Sequence, residues 1–325
     1  YLVPALISGG KVIISSGTKT LQDQLFSRDI PTVRQALKAP VTVALLKGRA
    51  NYVCHYHLER AAKDGRFANR DDVRYLQLIE RYAGITKTGD KAGLSEVPEN
   101  ADVWSYVTST RENCLGSSCS HYKECFVMEA RKQALAADVV VVNHHLFFAD
   151  VMLRDEGLAE LLPACNTVIF DEAHQLPDTA SLFFGEAVST AQLLELARDT
   201  RMEAAASAKD FAPLPEAAAA VDKAARDLRL AFREGAGRFT SGALKQDERF
   251  GAAVATVLER LENLGNLLEF QAERSEGLES CWRRTVEIRE RLARWRQGNG
   301  DDGYVRGVEV FGHTVQFNAT PLSIA

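Results

Sequence analysis

Residues 167–174 read Thr-Val-Ile-Phe-Asp-Glu-Ala-His, a β-branched apolar run that passes directly into two adjacent carboxylates and a histidine. A short apolar run without alternation is a strand covered on both faces, and strands of that kind belong to parallel sheets flanked by helices. The same pattern recurs upstream at 11–15 (KVIIS), 41–46 (VTVALL) and 139–143 (VVVVN). Between the first two runs, Leu21, Leu25 and Val33 alternate with Gln22, Asp23, Gln24 and Arg28 as an amphipathic helix whose N-cap is Thr18. A second helical stretch, 124–137, precedes the third run. Strands alternating with helices predict an α/β fold built on a parallel sheet.

Two long stretches interrupt that alternation. The first, 54–125, opens on a helical segment near 58–82, passes through a polar, Gly-containing stretch at 84–100 and ends on three cysteines. The second, 184–300, holds four expected helices at 191–206, 214–235, 249–274 and 278–297. In the third of these, Val254, Val257, Leu258, Leu261, Leu264, Leu267 and Leu268 form one apolar stripe at helical spacing, a core-facing pattern. Beyond it, Val308, Val310, Val315 and Phe317 around Gly312 show strand alternation, and residues 301–325 are expected to return to the parallel sheet.

The chain has 325 residues, about twice one ordinary domain. With 46% apolar and 26% charged residues it has a globular composition. The net charge of −5 excludes a uniformly basic coat. Residues 1–53, in contrast, carry seven basic and two acidic side chains, a local surplus of +5. No stretch reaches the roughly 18 apolar residues of a membrane span, and Tyr1 to Ile7 lacks the basic start of a signal peptide. The cytoplasm is the expected compartment.

Asp171 and Glu172, at the carboxyl end of a parallel strand, lie where open α/β sheets bind ligands. In ATP-hydrolysing motors the first acid of such a pair holds Mg²⁺ through water and the second polarises the attacking water; His174 would sense the γ-phosphate. The bland alternative is a turn in which Asp171 caps a helix. Cys54, Cys114, Cys119 and Cys125 are separated by 59, 4 and 5 residues. Four thiolates suit a tetrahedral zinc or an iron-sulfur cluster, and one distant ligand with three close ones resembles cluster ligation more than paired zinc ligands. Four unrelated buried thiols remain the third reading. Cys165 and Cys281 read as packing residues, and His121 as an exposed neighbour. Ser16, Thr18, Lys19 and Gln24 line a hydroxyl-rich turn opening a helix, suited to phosphate oxygens or to nothing more than capping. Tyr52, Tyr56, Tyr122 and Phe126 could stack bases or pack a core.

Taken in order, ISSGTKTLQDQLF, GRANYVC, the C-x4-C-x5-C group, VVVVNHHLF and VIFDEAHQLPD resemble the DinG/YoaA branch of XPD-like superfamily 2 DNA helicases over residues 1 to about 183. The resemblance implies a RecA-like motor domain 1 in parts at 1–53, 126–183 and 301–325, an iron-sulfur domain at 54–125 and a helical arch at 184–300. It implies a [4Fe–4S] cluster on Cys54, Cys114, Cys119 and Cys125. Catalysis would fall to Asp171, Glu172 and His174, with Mg²⁺ on Asp171 through water, and DNA contact to Ser16, Thr18, Lys19 and Gln24. The implied activity is ATP-dependent 5′→3′ translocation on single-stranded DNA and unwinding of duplexes by a monomer in DNA repair, with single-stranded and forked DNA as substrates and a repair or replication protein as partner. The family's phosphate loop would precede YLVPAL and its second motor domain would follow Ala325, so the chain by itself is expected to be inactive. The rival class is a non-catalytic metal-binding module that grips nucleic acid or protein.

Overall fold

The four apolar runs form one parallel sheet of β1 (Val12–Ser16), β2 (Val43–Leu45), β3 (Val139–Asn143) and β4 (Thr167–Phe170). Their spatial order is β2-β3-β1-β4. The structure is a computed structural model, and it describes residues 1–67, 69–155, 161–232, 236–244, 246–298 and 304–321. The chain divides into two units, one of residues 1–58, 67–110 and 121–183 and the other of 59–66, 111–120 and 184–325.

In the first unit, the central strands β1 and β3 are covered on both faces, whereas the edge strand β4 is partly exposed. Ile13, Val140 and Val142 pack into one cluster, and Val12, Ile14, Val139 and Val141 into another. This is the α/β architecture expected from the uninterrupted apolar runs. Strand β2 is shorter than 41–46 because its approach is held by a side chain. Asp138 accepts hydrogen bonds from the Thr42 N–H and hydroxyl at 2.8 and 2.7 Å. The helix after β1 begins at Lys19, and Thr18 Oγ1 caps it by accepting from the Leu21 N–H at 3.2 Å. Pro31 has no N–H to give the carbonyl four residues back. The helix accommodates it with a π turn over Leu25–Asp29, in which the Ile30 N–H bonds the Leu25 carbonyl, before continuing over Ile30–Leu37.

The second unit carries the four expected helices at Thr190–Ser207, Pro213–Leu230, Glu248–Glu269 and Glu276–Gln297. A capping box of Ser189 and Gln192 starts the first of them. The apolar stripe is core: Val254, Val257, Leu261, Leu264 and Leu268 are buried, and Leu258 and Leu267 pack against the same cluster. The second expected helix ends at Leu230, and 233–235 of its expected span lie outside the described residues.

Residues 304–321 do not return to the parallel sheet. Strands β5 (Glu186–Ser189), β6 (Gly237–Thr240), β7 (Tyr304–Phe311) and β8 (Thr314–Pro321) form a separate antiparallel sheet in the order β5-β8-β7-β6. Val308, Val310, Val315 and Phe317 face the helical core, and Gly312, at φ 55°, makes the tight turn of the β7–β8 hairpin. The expected helical insertion is therefore a helix-and-sheet unit. Residues 299–303 and 322–325 of the expected boundaries lie outside the described residues.

Candidate active site

The carboxyl ends of β1 and β4 lie side by side in the sheet, with Ser15 paired to Phe170. They bring two turns together. After β4 the Asp171 N–H continues the ladder by bonding the Ser15 carbonyl at 2.8 Å. Glu172 then adopts a left-handed backbone, φ 58° and ψ 42°, which a non-glycine residue takes up only at a cost. That reversal leaves the Glu172 side chain exposed and 3.5 Å from Nδ1 of His174, itself exposed. Asp171 is half-buried, with the Tyr1 phenol near its carboxylate. Burial first, and that carboxylate second, push the Tyr1 phenol up to about 12.

The turn after β1 holds the other set. Thr18 and Lys19 are exposed, as a phosphate contact requires. Ser16 is fully buried, its hydroxyl 3.5 Å from the Thr18 carbonyl, and it serves the turn's own geometry. Gln24 is turned inward and donates to the Asp29 carboxylate at 3.1 Å. Of the four residues expected at this turn, Thr18 and Lys19 are exposed, Gln24 is half-buried and Ser16 is buried. Lys91 was missed by the sequence reading: burial, then the nearby Lys19 ammonium, lower its pKa. No local pattern marks it, because more than 70 residues separate the two lysines. Gln22 was missed as well. It is fully buried and donates to the carbonyls of Leu46 at 2.9 Å and Val141 at 3.4 Å, tying the helix to β3.

Lys47 joins that helix to the cysteine-bearing insertion. Its ammonium, 6% exposed, lies 2.7 Å from Asp23 and 2.8 Å from Asp90. Burial alone would lower its pKa, but the Asp23 and Asp90 carboxylates outweigh it and raise the value.

Of the cysteines, Cys54 and Cys125 lie in the first unit and Cys114 and Cys119 in the second. Cys54 precedes the helix His55–Asp64 and donates its N–H to the Val107 carbonyl at 2.8 Å, and Cys125 occupies the N-cap of Phe126–Ala136. A helix N-terminus favours a thiolate. All four are half-buried, whereas Cys281 is enclosed and burial pushes its thiol up to about 12. The donor set therefore fits a thiolate-held group in chemical type. Among the described residues, however, no three His, Cys, Asp or Glu side chains converge closely enough to hold a metal ion. Cys165 is exposed and does not pack. Tyr52, Tyr56 and Phe126 are buried and pack, and Tyr122 alone of the aromatic set is exposed. His121 is half-buried, its ring 5.9 Å from that of His55.

In the second unit, Asn113 beside Cys114 donates to Asp199 at 3.1 Å, and Arg284 reaches the same carboxylate at 2.8 Å. Arg60 pairs with Glu203 at 3.2 Å. No local pattern marks these groups; packing shows that they clamp short segments of the insertion onto two long helices.

A parallel α/β sheet with a DEAH turn at its carboxyl edge defines the RecA-like class of motor domain. No family model matches the chain. It aligns over its whole length with ATP-dependent DNA helicase YoaA of Escherichia coli (strain K12), at 42% identity. It does so too with the YoaA of Haemophilus influenzae (strain ATCC 51907 / DSM 11121 / KW20 / Rd), at 38%. Over 61% of its length it is 33% identical to ATP-dependent helicase DinG of Mycobacterium tuberculosis (strain ATCC 25177 / H37Ra), covering 32% of that protein. The chain is similar over its whole length to part of the DinG/YoaA-type helicases. It spans about half, 51%, of each YoaA relative. Among the described residues no helix is long and apolar enough to cross a membrane.

Proposed function

We propose that this chain is the DEAH-box part of an ATP-dependent DNA helicase that moves 5′→3′ on single-stranded DNA and opens forked duplexes during DNA repair. The observation that carries the reading is the adjacency of two turns on neighbouring strand ends: Asp171-Glu172-Ala173-His174 after β4 and Thr18-Lys19 after β1. Asp171 would hold the Mg²⁺ of MgATP through water, Glu172 would orient the attacking water and take up its proton, and His174 would report the γ-phosphate to Glu172. Bound MgATP supplies the phosphoanhydride and the charge neutralisation. Thr18 and Lys19, with Lys91 beside them, would grip backbone phosphates without reading bases. Cys54, Cys114, Cys119 and Cys125 would hold a [4Fe–4S] cluster. Supporting that assignment are their half-buried thiols, the helix starts at Cys54 and Cys125, and the clamp at Asn113.

The test is Glu172→Gln in the full-length protein, which preserves size and removes the base. DNA-stimulated ATP hydrolysis should fall by about a hundred-fold or more, with single-strand affinity unchanged within about two-fold. Near-normal turnover by that variant would overturn the motor reading and favour a binding module.

A further inference from the structure

Ser15 occupies the centre of the sheet's carboxyl edge, in register with Val142 of β3 and Phe170 of β4. Its carbonyl accepts the Asp171 N–H at 2.8 Å, and its hydroxyl lies 2.7 Å from Nδ1 of His144, the first residue of the helix after β3. Three residues further along the chain stands Thr18. Both side chains are sealed from solvent, Ser15 at 0% and His144 at 1% exposure.

A hydroxyl and an imidazole at such a position give up hydration that apolar residues would not, so packing alone does not explain them. The other ring nitrogen, Nε2, is buried and has no hydrogen-bond partner. When the Ser15 hydroxyl donates to Nδ1, Nε2 carries the ring proton. The DEAH turn and the Thr18 turn also touch directly, since a Cβ on Gly17 would lie 2.6 Å from Oε1 of Gln175.

The geometry points to Ser15 and His144 as positioning residues that couple the DEAH turn to the phosphate-gripping turn. This deepens the helicase reading and rests on it. In one arrangement, the one seen here, Nε2–H is unsatisfied. A small displacement of the left-handed Glu172 backbone toward the ring offers it a carbonyl. The new bond fixes the imidazole against Ser15 and thereby the end of β1 from which Thr18 and Lys19 emerge. DNA on that turn and nucleotide on the DEAH turn then favour the same arrangement, which is what coupling between two sites requires.

The experiment is the ratio of ATP hydrolysis with and without an oligothymidylate, measured in the full-length protein for wild type, Ser15→Ala, His144→Ala and the double variant. Each single variant should lower the stimulation ratio by about five-fold or more. The double variant should be no worse than the poorer single one by more than about two-fold, because both residues act through one bond. A simple loss of folded protein scales both rates alike and leaves the ratio untouched. Should His144→Ala fail to fold, Ser15→Ala, which removes one oxygen and keeps the strand ladder, decides the matter. A ratio preserved within two-fold in Ser15→Ala would overturn the coupling role alone. A wild-type protein whose hydrolysis ignores DNA would overturn the helicase reading as well.

Discussion

Replacing Lys47 with methionine tests whether the buried ammonium organises the first unit. Its two ion pairs, at 2.7 and 2.8 Å, are each worth about 6 kcal/mol in gross Coulomb energy at an effective dielectric near 20. Most of that is offset by the several kcal/mol needed to desolvate the lysine. Removing one partner of a fully buried pair typically costs about 3–5 kcal/mol. Here the Asp23 and Asp90 side chains are 45% and 21% exposed and can rehydrate, so the expected loss is about 2–3 kcal/mol. For a unit of this size that is a fall in Tm of about 5–10 °C. Circular-dichroism melts of the 325-residue chain should show one transition moving and the other staying, since the second unit contains none of the three residues. The pH dependence has a definite sign. Because the folded pKa of Lys47 is raised, its contribution is complete below the unfolded value of about 10.4 and is lost as pH rises through the folded value. The gap between wild type and variant should be flat from about pH 6 to 9 and close in stronger alkali. A loss below about 0.5 kcal/mol at pH 7, the level of an ordinary surface change, would refute the reasoning.

Lys19→Ala should reduce the salt slope of single-strand binding by about one, read from titrations across a salt series, if that side chain neutralises one phosphate; an unchanged slope would make it only a solvated charge at a helix end. Anaerobically prepared protein should carry about four irons and four sulfides, which Cys114→Ser should abolish and Cys281→Ala should leave intact, as read by iron and labile-sulfide analysis. Stoichiometric zinc without sulfide would sink the cluster assignment. Leu261→Ala, at a fully buried site in the helical core, should cost about 2–5 kcal/mol, and urea melts should place that loss in the second unit only.

Much of the first unit was legible because its signals are local. The uninterrupted VVVV run announces a strand covered on both faces and TVIF a second, partly exposed strand, Thr18 sits one residue before a helix that it caps, and DEAH needs only the preceding strand to be placed at the sheet's carboxyl edge. The candidate site was legible to the same depth. Asp171, Glu172, His174, Thr18 and Lys19 lie in the turns that their neighbours in sequence predict, whereas the burial of Ser16 and the Gln24–Asp29 hydrogen bond were not legible, because the direction of a side chain at a turn depends on what lies opposite.

What the chain's own order of residues determined, then, was the set of elements and the identity of the acidic turn, both products of short-range periodicity and adjacency. Tertiary structure alone decided which elements pair and which charges are buried. Residues 304–321 show this directly. Their alternation of Val308, Val310, Val315 and Phe317 with polar neighbours announced strands, and it also suits a sheet with one covered face, the antiparallel kind. Which sheet they join depends on the helical core they must cover. In the same way Lys47 and Asp90, or Ser15 and His144, become partners only when strands distant in the chain lie side by side, since the energy of a buried polar pair depends on distances and desolvation that no local pattern encodes.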